Sequence, residues 1–378
     1  MADGAAPLRV MVFLHSFEPG GVERVALRLC GAWGRDPGID LKLVMGREAG
    51  AMRDEAPAHV PRLVIPEPFP TAAWETIWLC IVLWRMIRAH RPDVLFAAGN
   101  SYSIVAVVMT LLFGRRCPPV VLKLSNDLER RDLPQPIRWI YHRWLRIQGR
   151  RLQRFTGLAG PMRAEIARFM AVDDARIAVI EDPALTLADV AALAALGDAR
   201  QTGPGRRYVA VGRLAAQKNF GLAITAFARA AGPDDTLTIV GEGGARPALE
   251  RQVASLGLAG RVQLPGHGAV PPALAAADVF LLSSDYEGVP AVVIEALASG
   301  LPVVATDCAV SMRGLIGAWG SVVPVGDAAA LAAAMVAQPA LTPAQRAAAA
   351  TAMQAFTVER AATAYATLFR AAALLPKA

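Results

Sequence analysis

Residues 279–300, VFLLSSDYEGVPAVVIEALASG, hold the unit that decides the fold. A short apolar run passes through a polar loop into a second apolar segment, which Pro290 begins and Gly300 ends in the manner of a helix. An apolar strand that leads into a helix is the repeating unit of a parallel α/β sheet. This stretch therefore predicts a strand, a loop and a helix in that order.

The same alternation of short apolar runs with longer segments of helical period extends over most of the chain. In the first half it predicts strands at 9–14, 41–45, 94–97, 120–123, 157–159 and 177–180. In the second half it predicts strands at 208–211, 236–240, 262–264, 279–282, 303–305 and 321–323. From Thr342 onward, spaced charges stand among Ala and Leu and no strand is left to pair, so this segment is expected to be helical.

The predicted fold is α/β, with two Rossmann-like doubly wound domains facing a cleft and C-terminal helices packing across the domains. We expect one domain at 1–182 and a second at 207–355. A linker is expected at 183–206, which includes the Gly- and Pro-rich stretch QTGPGRR. A helix at 356–378 is expected to return to the first domain.

Composition excludes several classes of protein. With 378 residues, of which 54% are hydrophobic, the chain can build two domain cores and is not intrinsically disordered. The four cysteines lie far apart without metal or redox spacing, so they are expected to be reduced core thiols. The start of the chain lacks the pattern of an export signal, and no apolar stretch reaches the roughly 18 residues of a membrane-spanning helix. The sequence therefore predicts a cytoplasmic protein.

In each half of the chain, one pair of candidate binding residues follows the first predicted strand. Gly20 and Gly21 form a strand-to-helix turn in which backbone N–H groups can approach an anion, although a tight turn without a ligand is an equal alternative. Arg213 and Lys218 can clamp a diphosphate, the first as a bidentate fork and the second as a point charge. Two solvated cations in a loop are the alternative.

Two carboxylates lie within residues 279–300. Glu287 falls in the loop, and Glu295 falls in an otherwise apolar helix, where an unpaired buried carboxylate is costly. A pair of ribose hydroxyls would provide Glu295 with hydrogen-bond partners. The alternative is a glutamate on the surface of the helix.

Together these motifs resemble family 4 of the glycosyltransferases, whose members have the two-domain GT-B fold. The signature is Glu287 and Glu295 separated by seven residues, preceded by the Arg213 and Lys218 pair and by the glycine turn. Further matching segments are Val240-Gly241-Glu242-Gly243, Leu264-Pro265-Gly266 and Ala276-Ala277-Asp278-Val279. The resemblance covers most of the second domain, and in the first it depends mainly on the glycine turn.

The resemblance implies a retaining, metal-independent transfer of a sugar from a nucleoside diphosphate donor of UDP or GDP type, without a cofactor. It implies that Glu287, Arg213 and Lys218 are catalytic. The implied donor contacts are Gly20, Gly21, Arg213, Lys218, Glu287, Glu295 and the backbone of Gly288, Val289, Pro290 and Ala291. The chain contains no Asp-x-Asp pair, which agrees with a site that holds no metal.

By the same resemblance the first domain binds the acceptor. Many relatives have a histidine in the middle of this domain, but here the strand at 94–97 is followed by Ala, Gly and Asn100. Asn126 follows the next predicted strand. We expect one of these asparagines to contact the acceptor or the donor sugar, although neither can act as a base.

The positive charge is concentrated in one segment. The formal net charge is +7, and residues 115–170 hold 13 Lys and Arg against 4 Asp and Glu. A helical projection of 137–155 groups the apolar residues Ile137, Ile140, Tyr141, Trp144, Leu145, Leu152 and Phe155 on one face. Contacts with an anionic membrane surface are predicted for Arg138, Trp139, Arg143, Arg146 and Arg150. Alternatively the apolar face packs on the sheet and the arginines are merely solvated.

The sequence thus predicts a glycosyltransferase that acts in cell-surface polysaccharide or glycolipid assembly. Its expected partners are a nucleotide-sugar donor, a glycan or lipid-linked glycan acceptor and the cytoplasmic face of the inner membrane, but not nucleic acid, because no nucleic-acid module is present. One alternative is a soluble enzyme with a small acceptor, or a nucleotide-sugar epimerase. Another is a non-catalytic nucleotide-binding scaffold.

Overall fold

The computed structural model describes residues 6–126, 128–130, 133–200 and 203–375. The chain divides into two units, of which the first contains Met1–Pro183 and Val358–Ala378 and the second contains Ala184–Thr357. Each unit has its own sheet, and all strand pairs in both sheets are parallel. The prediction of two Rossmann-like α/β domains is confirmed. Gln201 and Thr202 of the expected linker, and the first five residues, lie outside the described ranges.

The first unit has a seven-stranded sheet in the order β3-β2-β1-β4-β5-β6-β7. Its central strands are apolar on both faces, as expected where helices cover both sides. The strands are β1 Leu8–Leu14, β2 Ile39–Met45, β3 Arg62–Val64, β4 Val94–Ala97, β5 Val120–Lys123, β6 Arg154–Gly157 and β7 Ile177–Val179. The helices between them are α1 Gly21–Trp33, α2 Glu75–His90, α3 Ser103–Phe113, α4 Gln135–Arg151 and α5 Met162–Met170.

The second unit has a six-stranded sheet in the order β10-β9-β8-β11-β12-β13. Its strands are β8 Arg207–Val211, β9 Thr236–Val240, β10 Val262–Gly266, β11 Val279–Leu282, β12 Val303–Thr306 and β13 Gly320–Val323. Its helices are α6 Leu187–Asp198, α7 Phe220–Ala230, α8 Arg246–Ser255, α9 Val270–Ala275, α10 Ala291–Ala298, α11 Met312–Ile316, α12 Ala328–Ala337 and α13 Pro343–Met353.

The last helix, α14 Val358–Ala373, belongs to the first unit. Its Tyr365 and Phe369 pack edge-on against Trp33 of α1 and Phe96 of β4. All four rings are buried. The first core is therefore completed by residues from the far end of the sequence.

The expected linker at 183–206 is wrong over much of its length. It contains α6, which begins with a capping box between Thr186 and Asp189. Val190 and Leu193 on this helix are buried in the core of the second unit. The helix folds there because its apolar side chains bury surface and its first N–H groups receive side-chain partners.

Two smaller differences concern the first sheet. The strand expected at 157–159 lies at Arg154–Gly157, because Arg154, Phe155 and Thr156 are the residues that pair with β5. The strand β3 was not predicted from the sequence; it has three residues, and none of them is completely buried. Short, partly exposed edge strands carry little of the apolar alternation by which strands are recognised.

Candidate active site

The second sheet has a point where the order of its strands reverses, between β8 and β11. The connection from β8 leads to one side of the sheet, and the connection from β11 leads to the other. Parallel sheets bind ligands beyond the carboxyl ends of the strands at such a point. The loop after β8 carries Arg213 and Lys218, and the loop after β11 carries Glu287. The predicted catalytic residues are thus on two adjacent loops at this edge.

Lys218 and Glu287 form the central ion pair of the site. The Lys218 Nζ donates to Glu287 Oε1 at 2.6 Å, and Ser284 Oγ donates to the same oxygen at 2.8 Å. Only 19% and 11% of the two charged side chains are exposed, so water screens the pair weakly. Among the described residues nothing donates to Glu287 Oε2, and the ammonium of Lys218 has two further protons. Both groups therefore retain capacity to bind a ligand.

Hydrogen bonds between the loops hold this pair in place. Ser283 Oγ donates to the carbonyl of Lys218 at 2.9 Å, and the N–H of Glu287 donates to the carbonyl of Cys308 at 2.9 Å. Asn219 adopts a left-handed conformation, with φ 43°, and its side-chain oxygen caps α7. Its Nδ2 donates to Asp285 Oδ1 at 2.8 Å. These partners were not predicted from the sequence, although an Asn directly before an apolar helix is a typical N-cap.

Glycines allow the ends of β8 and β9 to approach each other closely. Gly241 has φ 150°, and a Cβ atom there would lie 1.9 Å from the carbonyl oxygen of Gly212. Only glycine fits such a contact. Arg213, next to Gly212, is exposed, and its side chain makes neither a hydrogen bond nor an ion pair within the described ranges. Its guanidinium is available to a ligand.

The stretch from Gly288 to Ala291 leads into the N-terminus of α10. The carbonyl of Gly288 accepts a hydrogen bond from Ser311 Oγ at 2.9 Å, and Pro290 at the N-cap provides no side-chain acceptor to the first turn. Uncapped N–H groups at a helix start favour an anion. Glu295 lies further along α10 and is half-buried between the buried residues Ile294 and Ala296.

Cys308 lies behind the ion pair as an unreactive thiol. Burial, together with the negative charge of Glu287, raises the pKa of Cys308 to about 12. A thiol with this pKa is protonated at neutral pH and is a poor nucleophile. All four cysteines are free, and Cys30 and Cys117 are also buried.

The site residues predicted in the first half lie at the carboxyl edge of the first sheet. Gly20 precedes α1 and Gly21 begins it. Asn100 Oδ1 accepts a hydrogen bond from the N–H of Ser125 at 2.7 Å, so it links the loops after β4 and β5. Asn126 is exposed in the second of these loops. His15 and Tyr102 were not predicted as site residues; their rings stack in this region with centroids 4.8 Å apart.

Helix α4 is buried only in its second half. Its buried residues are Leu145, Gln148 and Gly149, all in its second half. Ile137 and Ile140 belong to the apolar face of the helical projection, and 52% and 62% of their surfaces are exposed. The alternative in which the apolar face packs on the sheet therefore does not hold for these two residues.

The exposed part of α4 combines apolar and basic side chains. Trp139 is 60% exposed, and the guanidinium of Arg143 lies 4.9 Å from the centre of its ring. Arg146 and Arg150 are exposed as well. Within the described ranges, no helix has both the length and the apolar character that crossing a membrane requires.

Comparison with known families agrees with the fold. Residues 19–183 match the family described as Glycosyltransferase Family 4, and residues 205–338 match the one described as Glycosyl transferases group 1. Together the two matches cover most of both units. The chain therefore belongs to the family 4 glycosyltransferases of the GT-B fold.

Several individual proteins are similar to the chain. The 2-deoxystreptamine N-acetyl-D-glucosaminyltransferase of Streptomyces fradiae is 32% identical over 280 residues, which are 67% of this chain and 65% of that protein. The lipopolysaccharide core biosynthesis glycosyltransferase LpsE of Rhizobium meliloti is 38% identical over 99 residues, or 26% of this chain. The match covers 28% of the length of LpsE and 28% of an uncharacterized glycosyltransferase of Methanocaldococcus jannaschii.

Solved structures show the same fold over nearly the whole chain. Anabaena HepE in complex with UDP has a TM-score of 0.73 and 20% identity, over 96% of this chain and 100% of that one. Sucrose-phosphate synthase from Thermosynechococcus elongatus has a TM-score of 0.74 and 17% identity, over 96% of this chain and 98% of that one. At such identities the likeness concerns the fold alone.

Proposed function

We propose that the protein is a retaining glycosyltransferase that uses a nucleoside diphosphate sugar without a metal ion. The observation that carries the proposal is the Lys218 and Glu287 pair at the reversal of strand order, with the exposed guanidinium of Arg213 on the same loop as Lys218. Family membership supports it, as does the complex that HepE, a protein of the same fold, forms with UDP.

The residues of the second unit suit a diphosphate leaving group. Arg213 can hold two phosphate oxygens with its planar fork, Lys218 adds a point charge, and the first turn of α10 adds N–H groups. In the proposed step the bond between the anomeric carbon and the diphosphate oxygen breaks. A bond from an acceptor hydroxyl forms on the same face, and the hydroxyl proton passes to the leaving phosphate oxygen. Positive groups fixed around that oxygen stabilise the developing charge.

The two glutamates contact other parts of the donor in this proposal. Glu287 Oε2, which accepts nothing within the described ranges, binds a hydroxyl of the donor sugar. Glu295 binds the ribose. The assignment of Gly20 and Gly21 to the donor stays a prediction, as does the choice between UDP and GDP.

Nucleotide binding provides the first test. We expect UDP or GDP to raise the melting temperature of the protein. Arg213→Ala should raise the dissociation constant of the nucleotide about tenfold or more, since a charge-assisted hydrogen bond contributes roughly 1.5–3 kcal/mol. Arg229→Ala is the matched control, because Arg229 is also exposed in the second unit. Equal affinities of the two variants, or no binding of either nucleotide to the unaltered protein, would contradict the proposal.

Catalysis provides the second test. With saturating donor, Lys218→Ala and Glu287→Ala are each expected to lower turnover at least about tenfold, which is about 1.4 kcal/mol of transition-state stabilisation. Release of UDP or GDP from the matching nucleotide-sugar measures the rate. Unchanged turnover in either variant removes that residue from the catalytic assignment.

We further propose that the acceptor is a lipid-linked glycan presented at an anionic membrane face. Trp139, Ile137 and Ile140 are exposed beside arginines, and α4 carries no acidic residue. Each basic residue near an anionic bilayer contributes on the order of 1 kcal/mol to binding. Sedimentation with phosphatidylglycerol vesicles should therefore fall strongly on replacing Arg143, Arg146 and Arg150 by Ala. Replacing the exposed Arg229, Arg251 and Arg360 is the control of equal charge.

A soluble enzyme with a small acceptor is the second candidate. The Streptomyces fradiae relative, matched over 280 residues, is named for transfer to 2-deoxystreptamine, which is a small aminocyclitol. Absence of vesicle binding, or equal loss in both triple variants, would favour this candidate.

A further inference from the structure

A group of polar side chains surrounds His15 at the carboxyl edge of the first sheet. This His15 cluster consists of His15, Glu23, Glu75, Thr76 and Tyr102. His15 directly follows β1, and Tyr102 lies in the turn between β4 and α3. The order of the first sheet reverses between these two strands, β1 and β4. The cluster thus occupies in the first unit the position that the ion pair occupies in the second.

One side of the cluster is built on Tyr102. The imidazole of His15 stacks on this fully buried ring, with 4.8 Å between centroids and 27° between planes. The hydroxyl of Tyr102 donates to Glu23 Oε1 at 2.7 Å. Burial and the charge of Glu23 raise the pKa of Tyr102 strongly, so the phenol remains a donor. Tyr102 therefore fixes both the plane of His15 and the carboxylate of Glu23.

The other side of the cluster comes from the start of α2. Thr76 Oγ1 lies 3.4 Å from His15 Nε2. Glu75 pairs with Arg47 at 3.1 Å and keeps 39% of its side chain exposed. His15 itself is half-buried, and its Nδ1 has no hydrogen-bond partner within the described ranges. The cluster thus contains an imidazole nitrogen of His15 and a carboxylate of Glu75 that are held in position and can accept further hydrogen bonds.

An aromatic pair lies directly before Glu75. Phe69 stacks on Trp74 with 5.1 Å between centroids, and 55% of Phe69 is exposed. The face of an exposed aromatic ring is open to the C–H groups of a flat ring. Polar groups in fixed directions beside an open aromatic face are the elements of a site for a hydroxylated ring.

The partial burial of His15 favours its neutral form. Burial and Arg47 lower the pKa of His15, while Glu75 and Glu23 oppose this shift. A neutral imidazole has one nitrogen that accepts and one that donates. It can therefore accept the proton of a hydroxyl group in a hydrogen bond, which an imidazolium cannot do.

We propose that the His15 cluster, with Phe69 and Trp74, binds the acceptor as a hydroxylated ring of the sugar or cyclitol class. His15 Nδ1 holds the hydroxyl that receives the sugar, Glu75 binds a neighbouring hydroxyl, and the ring covers Phe69. His15 and Glu75 are then acceptor-positioning residues. This inference rests on the proposed function, since it assigns the second substrate of that reaction.

The test measures binding and transfer separately in the full chain saturated with UDP. Saturation-transfer NMR with methyl β-D-glucopyranoside and with 2-deoxystreptamine reports binding of the two probes. We expect His15→Gln and Phe69→Ala each to raise the dissociation constant of the more tightly bound probe by three- to tenfold. The dissociation constant of UDP should change by less than twofold. His90→Gln, at the opposite end of α2, is the matched control for His15→Gln and should change neither quantity.

Kinetics with the better probe separates positioning from folding. His15→Gln should raise the acceptor KM or lower kcat/KM for the acceptor by at least threefold, while the melting temperature stays within about 2 °C. Failure of both probes to bind, or equal binding in His15→Gln and His90→Gln, overturns the acceptor site. Failure of the unaltered protein to bind UDP or GDP instead contradicts the proposed function, so the two failures are distinguishable.

Discussion

Lys123 and Asp182 form an ion pair in the first unit whose two partners differ in burial. The Nζ of Lys123 on β5 lies 2.8 Å from Asp182 Oδ1, and the exposed fractions of the two side chains are 2% and 18%. Asp182 stands one residue before the boundary at which the chain leaves the first unit. Replacing one partner by a neutral residue leaves the charge of the other unpaired. The ammonium of Lys123 is then shielded from water, whereas the carboxylate of Asp182 is partly exposed to it.

The cost of each replacement follows from that difference. Asp182→Asn leaves a fully buried ammonium, and breaking a buried pair in this way costs about 3–5 kcal/mol. Lys123→Met leaves a carboxylate that water can reach, so we expect a smaller loss of about 1–2 kcal/mol. For a unit of about 200 residues, 1 kcal/mol corresponds to roughly 2–4 °C in melting temperature. The expected decreases are then about 6–20 °C for Asp182→Asn and about 2–8 °C for Lys123→Met.

Scanning calorimetry of the full chain measures which single variant loses more stability and whether the two replacements act independently. The double variant Lys123→Met with Asp182→Asn should recover much of the larger loss, because it removes both charges. Asp174→Asn is the control, since Asp174 pairs with Arg163 at an exposed position and its loss should cost no more than about 1 kcal/mol. An Asp182→Asn variant no less stable than Lys123→Met would refute the reasoning from burial.

Three further predictions concern single residues. Gly241→Ala should destabilise the second unit by at least about 1–3 kcal/mol, because its Cβ would clash with Gly212 at positive φ, whereas Gly244→Ala meets no atom within 4 Å and should be neutral by chemical denaturation. Because the pKa of His15 is lower in the folded chain than its ordinary value of 6.5, stability should fall as the pH falls below about 6.5. Urea unfolding of His15→Gln should lack that part of the decrease. With a pKa of about 12, Cys308 should not react with a thiol reagent in the native protein at pH 8 and should react once the chain is unfolded.

The sequence allowed the strands of both sheets to be predicted where apolar runs are bounded by turns. Strands at 94–97, 236–240 and 279–282 have the bounds that were expected. The same patterns placed Lys218 and Glu287 on loops that proved to be adjacent, because strand order in a doubly wound sheet brings the first and fourth strands together.

Contacts between distant residues could not be predicted in this way. Tyr102 is far from both His15 and Glu23 in sequence, and no periodic pattern connects them. Asn219 and Asp285 meet only because their loops follow neighbouring strands. Side-chain hydrogen bonds depend on loop conformation at the scale of an ångström, whereas the patterning of apolar residues specifies only which elements pack.

The return of α14 to the first unit has a consequence for how the protein is made. Trp33 and Phe96 leave the ribosome early, but Tyr365 and Phe369, which cover them, are translated after the whole of the second unit. The unit that begins synthesis first is therefore completed last, with an aromatic surface open in the meantime. A nascent chain that stops before Val358 would retain that surface and would be a substrate for chaperones and for aggregation.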